Sequence, residues 1–105
     1  MTMTDTHTDR AEARIATVAK GAIIAYGKFA YRIWVLIARD DPDRYEGWYE
    51  IWTPGPDAVL LRQRALFEPG QSTPHVFASA PEARSAAIIE AKWQINHIGR
   101  RADKA

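Results

Sequence analysis

The sequence predicts an α+β fold, an antiparallel sheet of three to four strands packed against a long C-terminal helix, with a short N-terminal helix ahead of the sheet. Three observations carry this expectation. β-Branched and aromatic residues crowd residues 22–67 and are cut there by Pro, Gly and Asp clusters. Small and apolar residues recur at steps of three and four over residues 80–98. A chain of 105 residues leaves no room for a second independent core, and 47% hydrophobic with 26% charged residues is a balance that builds one modest core.

Residues 1–8 are polar and rich in Thr, with nothing to offset the entropy of ordering them, and read as a disordered tail. The single domain spans residues 9–99. Its first segment, DRAEARIATVAK, favours helix by propensity and places Ala11, Ile15 and Val18 on one face. A helix of about 12 residues is marginal in water, so this one must dock on the sheet to persist.

GAIIAYGKFAYRIWVLIARDD is sheet by composition. Gly27 and Lys28 can turn a short strand over residues 22–26 into a longer one over residues 29–39, and one bent strand fits nearly as well. In the long strand Phe29, Tyr31, Ile33, Val35 and Ile37 share one face, and Ala30, Arg32, Trp34, Leu36 and Ala38 share the other. Asp40, Asp41, Pro42, Asp43 and Arg44 then reverse the chain. YEGWYEIW alternates, with Tyr45, Tyr49 and Ile51 on one side and Glu46, Trp48, Glu50 and Trp52 on the other. After the loop TPGPD, AVLLRQRALF can be read with either period. Read as a strand, it puts Val59, Leu61, Ala65 and Phe67 on one face and Leu60, Arg62, Arg64 and Leu66 on the other.

EPGQSTP is a connection and HVFA a last short strand or an extended entry to the helix. The long helix starts at Ser79, which has capping-box spacing to Glu82, with Pro81 in the first turn, where no amide hydrogen is needed. Ala80, Ala83, Ala87, Ala91, Ile95 and Ile98 form a narrow stripe of mostly small residues that lets the helix lie close to the sheet. Ile89, Trp93 and Ala86 fall well away from that stripe. Gly99 is placed to end the helix, leaving residues 100–105 as a frayed tail.

Composition narrows the functional classes. Lys and Arg total 14 against 13 Asp and Glu, so no global field draws the chain to nucleic acid or anionic lipid. No cysteine is present, and His7, His75 and His97 lack ligand spacing, so neither a metal nor another cofactor is expected. The acidic turn at Asp40, Asp41 and Asp43 has no glutamate where a calcium loop needs one. Ser72, Ser79 and Ser85 have no evident base, and Glu46 and Glu50 stand roughly 13 Å apart along a strand, too far to share one bond, which gives no support for an enzyme. The opening MTMTDTHTDRAEAR lacks the layout of a secretory signal and no apolar run reaches the ~18 residues needed to span a bilayer, so a cytoplasmic location without membrane contact is expected.

One feature of the sheet suggests a partner. If the strands pair in the phases above, Arg32 and Trp34 meet Trp48 and Trp52 and then Arg62 and Arg64, gathering indoles and guanidiniums on one surface. Such a surface suits a protein partner or a weak homodimer, or less readily RNA or single-stranded nucleic acid. Covered by the N-terminal helix, the same residues would instead be core and rim.

The order helix, three main strands, helix resembles the double-stranded RNA-binding domain in topology over most of residues 9–99. That family places lysines at the start of its last helix, whereas SAPEAR puts Glu82 there. A strand meander running into Phe77, Ser79, Glu82 and Ala83 resembles small uncharacterised bacterial α+β domains with the pattern F-x-[ST]-x-x-E-A, over roughly residues 26–98. This resemblance implies a fold and no particular activity.

Overall fold

A computed structural model describes residues 17–67 and 70–104, and the side chains through residue 99. The chain is α+β, with strands β1 (Thr17–Lys20), β2 (Ile24–Tyr26), β3 (Phe29–Ile37), β4 (Tyr45–Trp52), β5 (Leu60–Ala65) and β6 (Val76–Phe77) followed by helix α1 (Ala80–Lys104). All pairings between the strands are antiparallel. β3 and β4 form the centre. β1 and β2 share one flank of β3, and β5 and β6 share the outer flank of β4.

β2 turns into β3 through Gly27 and Lys28, with Tyr26 opposite Phe29 and Gly27 at φ 60, the backbone that a tight hairpin demands at its first central residue. Gly21 donates to the Ile33 carbonyl at 2.8 Å, which joins β1 and β2 into a bent edge along β3. The turn after β3 is held by Asp41, whose Oδ1 accepts from the Asp43 amide at 3.1 Å and whose carbonyl accepts from the Arg44 amide at 3.0 Å.

Two expectations about the ends are corrected. The last four residues of the expected N-terminal helix form β1, paired with the Trp34–Leu36 positions of β3; an open strand edge offers these residues inter-strand hydrogen bonds that outweigh a weak helix preference. The rest of that expected helix, and the expected tail at residues 1–8, lie outside the described residues. Gly99 does not stop α1, which continues to Lys104. A glycine inside a helix costs roughly 1 kcal/mol relative to alanine, and the RRADK that follows favours helix.

The stripe on α1 packs where expected. Ala83, Ala87 and Ala91 are fully buried and Ile95 nearly so, against Tyr31, Ile33, Tyr49 and Ile51. Small residues at the start of the helix and isoleucines later make a wedge. At its narrow end a side chain on Gly47 would stand 2.6 Å from the Ala83 carbonyl oxygen, while at its wide end Tyr26, Phe29 and Ile98 fill the gap.

Ser79 caps the helix. Its Oγ accepts from the Glu82 amide at 3.3 Å, while the Glu82 carboxylate returns no bond among the described residues, so only one half of the capping box forms. Ser79→Ala should lower stability by about 0.5–2 kcal/mol; an unchanged urea midpoint would show that the cap is dispensable.

Candidate functional site

β3 and β4 alternate strictly, so one face of the sheet meets α1 and the other carries Arg32, Trp34, Glu46, Trp48, Glu50 and Trp52. Across the ladder Trp34 stands opposite Trp48, and Arg32 opposite Glu50. The indoles are half-buried, while Glu46 and Glu50 beneath them are buried at 9% and 5% exposure. The described helix lies on the opposite face, and every described strand belongs to this one sheet.

Buried carboxylates need partners, and the indoles supply them. Trp48 Nε1 donates to Glu46 Oε1 at 2.9 Å, and Trp52 Nε1 donates to Glu50 Oε1 at 3.0 Å. Each glutamate thus accepts from the tryptophan two residues later on the same strand face. Glu46 also accepts from the Arg39 amide at 3.4 Å, and Glu50 from Gln63 Nε2 at 3.4 Å. Arg32 Nε sits 3.6 Å from Glu50 Oε1, an ion pair longer than a hydrogen bond, with its guanidinium 5.7 Å from the Trp52 ring centre. Lys20 covers the Trp34 ring at 4.9 Å. The Trp34 indole N–H is enclosed and has no acceptor among the described residues.

Arg62 and Arg64 are not on this face. β5 carries a bulge between the Trp52–Leu60 and Ile51–Arg62 pairs, so Leu61 is an extra residue and the alternation flips. Arg62 and Arg64 therefore stand opposite Ile51 and Tyr49 on the helix side, and Gln63 and Ala65 take the outer positions. The expected six-residue surface is a four-residue one, Arg32, Trp34, Trp48 and Trp52, extended by Glu46, Glu50, Gln63 and Lys20.

On the helix side Arg64 borders a cleft of about 480 Å³ between β5, β6 and α1, lined by residues that include Tyr49, Leu66, Phe67, His75, Phe77, Ile89 and Glu90. Arg62 donates to Gln94 Oε1, and Gln94 Nε2 donates to Glu90 Oε2 at 2.7 Å, so a polar chain ties β5 to α1. Burial, together with the Glu90 charge, pushes the Tyr49 phenol above its ordinary value of 10.0 against the pull of Arg62 and Arg64, and it remains neutral at physiological pH. Ile89 is 70% and Trp93 51% exposed on the same helix, with the Trp93 ring stacked on His97 at 3.7 Å. Among the described residues no cluster of His, Asp and Glu has the makings of a metal site, and no helix is long and apolar enough to cross a membrane.

Two signals in the sequence pointed to these arrangements. Tyr45–Trp52 is a doubled Y-E-x-W, YEGW then YEIW, and that spacing sets each carboxylate beside an indole. Val59, Leu60 and Leu61 are three apolar residues in a row, an interruption of period two where the strand slips phase. Nothing in the sequence marks the cleft as such. No family model, no curated protein and no solved structure matches the chain.

Proposed function

We propose that the chain is a noncatalytic interaction domain whose outer sheet face binds a protein partner or a second copy of this chain. The observation that carries this reading is three half-buried indoles on a sheet face, two of which have their N–H groups already satisfied by that face's own carboxylates. Such a surface offers flat apolar ring area, as the centre of a protein interface does, and leaves the Trp34 indole N–H and Arg32 Nε without acceptors among the described residues. Arg32 and Lys20, each set over an indole, supply polar groups within the same patch.

Nucleic acid is the weaker alternative. Rings for stacking are present, but Arg62 and Arg64 lie on the other face, and Glu46 and Glu50 sit among the indoles where phosphates would pass. At micromolar protein, mixed single-stranded and duplex RNA should show no salt-dependent mobility shift. In a protein contact, including self-association followed by sedimentation equilibrium, Trp48→Ala should weaken binding by about 2 kcal/mol, roughly thirtyfold. A robust RNA shift that falls steeply with salt, and that Arg32→Ala flattens, would overturn this reading.

A further inference from the structure

We propose that the cleft between β5, β6 and α1 binds a single carboxylate carried on a short apolar body, with the Arg64 guanidinium as its ionic partner and Leu66, Phe67, Phe77 and Ile89 as its walls. Arg64 stands on the outer strand β5 opposite the buried Tyr49, and its own side chain is exposed at the rim of the cleft. From there the arginine lines an open cleft.

Among the described residues three guanidiniums are engaged. Arg62 bonds Gln94, Arg32 pairs with Glu50, and Arg44 pairs with Asp41. Of Arg39, Arg64 and Arg84, which have no side-chain partner among the described residues, Arg64 is the one that lines the cleft. A planar fork with five donors in a cleft with apolar walls matches a carboxylate more closely than any neutral group.

The rest of the lining limits the ligand. Both ends of the Gln94 amide are occupied, by Arg62 and by Glu90, so it contributes shape rather than new bonds. Glu90 sets a negative charge in the cleft with Arg64, which tolerates one anionic group and opposes a dianion such as phosphate. Phe67 at 45% and Ile89 at 70% exposure leave apolar area uncovered beside the cleft, enough to hold an alkyl or aryl group.

Free acids and the C-terminal end of a peptide share this chemistry, and titrations of the full chain separate them. The probes are 3-phenylpropionate and hexanoate as free acids, N-acetyl-phenylalanine as a peptide end, and 3-phenylpropionamide and inorganic phosphate as controls, followed by amide and Arg64 Nε–H chemical shifts. Saturable shifts on Arg64, Phe77 and Ile89 are expected with at least one carboxylate, and the tighter class names the source. The neutral amide and Arg64→Gln should each bind about tenfold more weakly. Ile89→Ser, at an exposed position that folding does not need, should weaken binding by a further measurable factor while the melting temperature stays unchanged. Failure of every carboxylate to saturate, equal binding of the amide, or unaltered affinity in Arg64→Gln with its fold intact would each overturn the proposal.

Discussion

Replacing Gly47 with alanine is expected to destabilise the protein by about 2–3 kcal/mol, although alanine is the better strand residue by propensity. Glycine inside a strand ordinarily costs roughly 0.5–1 kcal/mol relative to alanine, so a change governed by local preference would stabilise. Here the added Cβ would meet the Ala83 carbonyl oxygen at 2.6 Å and the Ala87 Cβ at 3.3 Å. The first neighbour is helix backbone, which cannot rotate away, so α1 must lift from the sheet. Lifting it exposes Ala83 and Ala87 and loosens the contact with Tyr49 and Ile51. Urea denaturation reads the effect as a lower midpoint at constant slope. Equal or greater stability would mean that the helix does not seat on Gly47.

Glu50→Ala should cost about 3 kcal/mol or more, the second large effect. Removing this carboxylate leaves Trp52 Nε1 and Gln63 Nε2 without their acceptor and Arg32 without its counter-charge, at a position only 5% exposed. Glu50→Gln keeps the shape and one acceptor, and should lose markedly less. If the two variants are equally stable, the charge and hydrogen bonds of Glu50 do not hold the indole face together. Because both substitutions sit beneath Trp52, indole emission reports the disorder of the face directly.

How much of this was legible depended on whether one period ruled a segment. β4 alternates without interruption from Tyr45 to Trp52, so its two faces could be assigned from the sequence alone. The stripe of alanines and isoleucines in α1 was likewise readable from its steps of three and four, and it packs on the face that alternation gives to Tyr31, Ile33, Tyr49 and Ile51. β5 was different. Its alternation supports two phases, and the bulge at Leu61 that selects between them is set by pairing with Trp52 and Ile51, which are distant in sequence. That single extra residue moved Arg62 and Arg64 from the indole face to the helix side. Residues 17–20 show the same limit from another direction, since their helix preference is local and the β3 edge that claims them is not. The Glu46–Trp48 and Glu50–Trp52 bonds were latent in the doubled Y-E-x-W, which reads first as plain alternation.

The central claim, that the outer face presents its indoles for contact, is tested most directly by acrylamide quenching in a Trp93→Phe background. Trp93 is 51% exposed and would dominate the wild-type signal, whereas the three remaining indoles all belong to the outer face. At protein concentrations where sedimentation shows a monomer, their fluorescence should be quenched measurably, and it should become protected when a protein partner or a second copy binds. Indoles that are fully shielded from quencher in that monomer would contradict the account and make the face part of the core.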